Sequence, residues 1–367
     1  MGQIEFVLLF FVRFIVEGIS KTTIMCEKQI IELPTGRPTL EIVSYESHID
    51  SILSANNLDK ANYYLSMLNM EVIQLEGHDA SFYDFFMGRN ICSVPLKQTF
   101  TSRESIQTAA ELIKHLEASL KKGEYCYLSV DTFFIREYSS SGKNHIVHSP
   151  LISGMSKSKV RLSDFFDYKH YHFAWISLES FIEAYLAVQR EIYLPLIDKN
   201  ENWILKVEDL KIDRQFPQID TRKLFSDYLR GDNKSVTKLD VFHYLNQNLS
   251  GICNPKNWLY QKKIVHGLQV YNCIKERIQA LSHSEQESLD KKLVAILYKH
   301  FCTYSHLSSV LELDTDWLNK SLSKSKQLMY LGLKSMLSKK TSQYAKILEL
   351  VNELEESEEK YIRENLL

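Results

Sequence analysis

The chain reads as an α+β protein with a mainly α-helical C-terminal half, and three observations predict this. Apolar residues recur at helical spacing from Tyr45 to Val72 and from Thr101 to Lys121. The period then switches to two along Tyr125–Asp131, the mark of a strand with two different faces. From Thr221 onward helical spacing returns and holds to the end of the chain.

The elements follow in order. Ile49, Ile52, Leu53, Leu58, Ala61, Tyr64, Leu65 and Leu68 give the first helical stripe. Thr101 or Ser102 can cap the next helix, Glu104 suits its first turn, and Lys121-Lys122-Gly123 stops it. In the strand that follows, Cys126, Leu128 and Val130 share one face, and Tyr125, Tyr127, Ser129 and Asp131 the other. His145–Gly154 and Val160–Phe166 are the next strands, and Ile176–Gln189 is helical. Trp203–Leu210 is the last strand candidate. Helices are then expected at Leu224–Leu229, Val241–Leu249, Ile264–Leu281, Ser288–Leu311 and Leu318–Glu364. The division this suggests is an extension over 1–29, an α+β domain over 30–200 and a helical domain over 201–367.

Composition excludes several classes. With 44% hydrophobic and 25% charged residues among 367, the chain can bury a sizeable core. A formal net charge of -2 gives no chain-wide footprint for nucleic acid, so no nucleic-acid partner is expected. Six cysteines without a CxxC pair point to reduced thiols in a cytoplasmic protein, with no metal and no cofactor. The apolar run Ile4–Val16 is interrupted by Glu5 and Arg13 and is too short for a stable membrane span. It reads as an interfacial helix, a core helix, or translated upstream sequence with the natural start at Met25, and the last is preferred.

Acyl-transfer chemistry needs a nucleophile, a base and a group that orients the base. Histidine is the usual base because its ordinary pKa lies near neutrality. Among the histidines His148 stands out: a polar loop precedes it and the apolar run Leu151-Ile152-Ser153-Gly154 follows. The next strand ends at Asp164. Two neighbouring antiparallel strands would put this carboxylate beside the His148 ring, although a plain strand-end carboxylate would look the same in sequence. Asp167 to His172 contains an HxH whose rings would share a strand face, but no third metal ligand is evident and an exposed turn is expected.

Three segments, Gly123–Asp131, His148 before Leu151–Gly154, and Asp164-Phe165-Phe166, resemble the N-terminal family of the butirosin-biosynthesis protein H. Phe225–Leu229, Val265–Tyr271, Leu297–His300 and Leu331–Lys334 are similar to the helical half of a branch found beside nonribosomal peptide synthetase genes in spore-forming bacteria. The resemblance implies a papain-like N-terminal domain and aminoacyl transfer from a carrier protein to an amine, with His148 as base and Asp164 as its orienting group. An acyltransferase or amide hydrolase acting on a carrier-bound aminoacyl or peptidyl substrate, with a peptide or amine as partner, is therefore expected. It also implies a cysteine nucleophile at the start of the first long helix, beside a histidine. Here the chain departs: Ser47 precedes His48, with Glu46 alongside. Ser47 is then either an atypical nucleophile or a first-turn residue. Cys92 is the best alternative thiol, and Cys126 is expected in the core. Serine needs more activation than cysteine, so weak or absent turnover is expected, and a non-catalytic module that grips a carrier protein or peptide is the alternative.

Overall fold

A computed structural model describes residues 30–41, 44–75, 83–86, 95–167, 169–188, 206–216, 218–231, 262–282, 291–338 and 341–367. The N-terminal extension, Cys92 and the helix expected at Val241–Leu249 lie outside the described residues. The protein is α+β, and every strand pair among the described residues is antiparallel.

The chain enters through β1 (Ile31–Glu32) and passes to α1 (Ser44–Ala55) and α2 (Ala61–Leu68). The first helical stripe is therefore two helices, and the left-handed Asn57 (φ 50°) lies in the link between them. Next come β2 (Glu71–Leu75), β3 (Tyr83–Phe86) and β4 (Leu96–Ser102), then α3 (Ala109–Lys121). The helix expected from Thr101 thus begins eight residues later. Its cap is Thr108, whose hydroxyl accepts from the Glu111 N–H while the Glu111 carboxylate accepts from the Thr108 N–H. Thr101 and Ser102 are taken instead by strand pairing with Val207 and Lys206.

The run of strands continues as β5 (Glu124–Leu128), β6 (Val130–Asp131), β7 (Val147–His148), β8 (Leu151–Met155), β9 (Lys159–Asp164) and β10 (His172–Ser177). Then follow α4 (Leu178–Ala187) and β11 (Lys206–Ile212). Each of the first two sequence-derived strands is broken once, at Ser129 and at Ser149-Pro150. The break leaves β6 and β7 as a separate two-stranded ribbon, with Val130 opposite His148. The main sheet has seven strands in the order β10-β9-β8-β5-β11-β4, with β1 added on β8. The division expected at residue 200 is thus corrected: β11, beyond it, lies between β4 and β5 and completes the sheet.

The two faces of β5 part as its alternation predicts. Cys126 and Leu128 join a core with Leu112, Leu116, Ile152, Leu162 and Phe181 under α3 and α4. Tyr125 joins the larger core on the opposite side with Ile52, Leu53 and Leu65.

The C-terminal half contributes α5 (Thr221–Arg230), β12 (Lys262–His266), α6 (Val270–Ser282), α7 (Lys291–Leu307), α8 (Thr315–Ser338) and α9 (Tyr344–Tyr361). The helix expected from Ile264 is a strand as far as His266. There β12 pairs with β2 in the sheet β12-β2-β3, and the β-branched Ile264-Val265 suits that pairing. Gly267 ends the strand at φ +61°, and an added Cβ would collide with the Tyr228 carbonyl. Phe225, Tyr228, Phe301, Tyr304 and Leu354 carry the larger core through this half, continuous with α1 and α2. No helix among the described residues is long and apolar enough to cross a membrane.

Candidate functional site

The site forms where the start of α1 meets β7 and the end of β9. His148 closes the short β7 strand, and Pro150 then turns the chain into β8. β8 runs antiparallel to β9 with Leu151 opposite Ser163, which brings the next residue, Asp164, level with His148. The His148 Nδ1–H donates to Asp164 Oδ2 at 2.6 Å. The same oxygen accepts from the Tyr138 hydroxyl, and Oδ1 accepts from the Phe165 N–H at 2.8 Å. The carboxylate is fully buried, whereas the His148 side chain keeps 24% of its surface open.

These contacts set the protonation states. Burial drives the Asp164 pKa upward, but the charge and hydrogen bond of His148 and the Tyr138 hydroxyl outweigh it and hold the carboxyl below its ordinary value. Burial pulls His148 down, but the Asp164 charge and hydrogen bond raise it further, so the imidazole ends above its ordinary value. The ring is locked with a proton on Nδ1, which leaves Nε2 to take up and release the second proton.

The hydroxyl beside Nε2 belongs to Ser44, whose Oγ lies 3.4 Å from it. Ser44 is the first residue of α1, where backbone N–H groups lack intrahelical acceptors and the helix dipole favours an anion. Ser47 is fully buried three residues further on and donates to the Leu40 carbonyl at 3.3 Å. Through that bond it helps hold the segment that leads into the helix. Asp50 does the same more strongly, accepting from the Thr39 and Leu40 N–H groups at 2.7 and 2.9 Å and pairing with Lys60 at 2.6 Å. Tyr45, next to Ser44, donates to Glu208 on β11 at 2.8 Å and accepts from Gln98 on β4 at 3.1 Å. The helix start is thereby pinned to the sheet.

His48, one turn after Ser44, is buried behind the pair. Its Nε2–H donates to the Ser149 carbonyl at 3.0 Å, and Nδ1 lies 2.7 Å from the Tyr171 hydroxyl. A carbonyl only accepts, so Nε2 carries the proton and Nδ1 accepts from Tyr171. Burial outweighs the opposing effects of Asp164 and Ser149 and lowers this ring to about 4. The unfolded chain then takes up a proton here below its ordinary 6.5 while the folded protein stays neutral. Stability from this group is full above that value and falls by about 3 kcal/mol between 6.5 and 4. Thermal melting from pH 7 to 4 should show this acid limb, and His48→Gln, whose amide can still reach Ser149, should flatten it.

The remaining sequence candidates sit elsewhere. Cys126 is in the core, as the strand pattern implies, and burial raises its thiol pKa well above the ordinary value. Cys302 is raised by burial too. The HxH follows a turn in which Asp167 accepts the Lys169 and His170 N–H groups. Tyr171 is buried between two exposed histidines, and the rings of His170 and His172 stand edge to face at 6.3 Å.

Sequence reasoning missed Ser44, Tyr138 and the buried His48. Ser44 and His48 share a helix face by their spacing of four, and that relation was available in the sequence. No family model matches the chain, and no curated protein matches it.

Proposed function

We propose that the protein is a papain-like acyltransferase or amide hydrolase in which Ser44 is the nucleophile, His148 the general base and acid, and Asp164 the group that orients it. The observation that carries this reading is the line Ser44 Oγ, His148 Nε2, His148 Nδ1, Asp164 Oδ2, with separations of 3.4 and 2.6 Å at its two ends. An α-helix whose start meets a base on the β6–β7 ribbon and its carboxylate at the end of β9 in the antiparallel sheet supports the papain-like relation. In the first step Ser44 Oγ bonds to the acyl carbon as its proton passes to His148 Nε2. The C–S or C–N bond then breaks, and His148 returns that proton to the departing thiol or amine. An amine or water next attacks the acyl-serine, giving up its proton to His148, and the ester C–O bond breaks as His148 passes that proton to the departing Ser44 Oγ. The carrier-bound aminoacyl or peptidyl substrate and the place in bacterial secondary metabolism rest on the sequence resemblance.

Two observations favour a second reading, a non-catalytic module that holds a carrier domain or peptide. The 3.4 Å separation is at the outer edge of hydrogen-bond reach. The raised His148 pKa also favours the protonated form of the ring, which cannot take the Ser44 proton. A fluorophosphonate probe followed by peptide mapping separates the two. The catalytic reading expects the label on Ser44 and its loss in Ser44→Ala and His148→Ala. No label on Ser44 across pH 6 to 9 would leave the binding reading in its place.

A further inference from the structure

We propose that His115, Cys126 and Asp209 form a binding site for a single divalent cation of the zinc class, which would staple α3, β5 and β11 together. Asp209 lies directly opposite Cys126 in the β11–β5 ladder, so their side chains share one face of the sheet. Helix α3 covers that face and brings down His115 and, one turn on, Ser119. Asp209 Oδ1 is 3.2 Å from Cys126 Sγ and 3.2 Å from His115 Nε2. All three ligand atoms lie within 4.8 Å of one another.

The arrangement is wrong for a nucleophilic relay. There the imidazole stands between thiol and carboxylate; here the carboxylate oxygen stands between the other two. Convergence of N, S and O on one point is what a tetrahedral ion requires, because bonds of about 2.0–2.3 Å set ligand atoms about 3.3–3.6 Å apart. The donor set favours zinc or cobalt over magnesium or calcium, which prefer oxygen throughout. Cys126 is fully buried, while the His115 side chain keeps 16% of its surface open, so the helix side offers the way in. Binding would displace the thiol proton to solvent. The ion would also tie β11, which enters the sheet from far along the chain, to the α3–β5 unit it packs beside.

The test is titration of chelator-treated full-length protein with Co²⁺, read by the thiolate-to-cobalt charge-transfer absorption that a site of N and O donors lacks. The expected result is a band that saturates at one equivalent and is bleached by Zn²⁺ but not by Mg²⁺. Cys126→Ser should abolish it. Should that buried substitution fail to fold, His115→Ala at the more open position serves, with apparent affinity weakened at least about tenfold. No band in the wild-type protein would overturn the proposal, as would a band that persists unchanged in His115→Ala. The three side chains would then be an ordinary buried hydrogen-bonded group.

Discussion

His148→Ala is expected to lower acyl-transfer turnover by about 10²–10⁴-fold while leaving the fold intact. The effect is large because the proposed mechanism has His148 both take the Ser44 proton and return it to the leaving group. Its side chain is partly open, so truncation leaves no large void. The pH profile gives an independent reading. The base must be neutral to act, and Asp164 raises its pKa above the ordinary 6.5. Activity should therefore rise with pH through a midpoint above that of a free histidine. Asp164→Asn removes the charge that raises it, so the midpoint should move to lower pH even as the rate falls. Steady-state kinetics on an activated ester or thioester from pH 5 to 9 checks both. A profile that Asp164→Asn leaves unmoved would place the titrating group elsewhere.

The second large effect lies in the helical half, where Glu358 is fully buried in α9. Its Oε1 accepts from His300 Nε2 at 2.6 Å and from the Tyr304 hydroxyl at 2.9 Å, and its Oε2 from the Tyr271 hydroxyl at 2.7 Å. Burial pushes this carboxyl up, but the His300 charge and these hydrogen bonds bring it below the ordinary value. Glu358→Ala strips three buried donors of their acceptor at once, and a loss of about 3–5 kcal/mol is expected. Urea unfolding should show a lower midpoint with an unchanged slope. The sign with pH also follows: the depressed pKa gives stability that is present above the unfolded carboxyl value and is lost as pH falls through the folded one. A loss under about 1 kcal/mol would mean that the network does not hold α6, α7 and α9 together.

The sequence carried much of this and missed specific parts. The His148–Asp164 pairing was legible because only a proline turn and one antiparallel strand pair separate the two residues. The two faces of β5 were legible because alternation is a local property. What failed was set by distant partners. Thr101 and Ser102 read as a helix start until β11 claims them as strand, and Ile264-Val265 read as helix until β2 does. Local spacing cannot report a partner about a hundred or more residues away. Ser47 reads as the nucleophile position because it adjoins His48 in sequence, whereas on a helix adjacency belongs to residues three or four apart. The convergence of His115, Cys126 and Asp209 was invisible for the same reason, since Asp209 arrives from the last strand of the sheet.

The central claim is that position 44, not 47, faces the base, and thiol substitution tests it most directly. Ser44→Cys and Ser47→Cys would each be alkylated with iodoacetamide across pH, with His148 present and with His148→Ala, and the labelled peptide identified. Ser44→Cys should label well below the pH of an ordinary thiol, since an imidazolium and a helix N-terminus both stabilise the thiolate. That advantage should vanish with His148→Ala. Ser47→Cys, fully buried in the folded protein, should stay unlabelled until the chain unfolds. The contradicting result is labelling of Ser47→Cys that depends on His148, with Ser44→Cys behaving as a free thiol in both backgrounds.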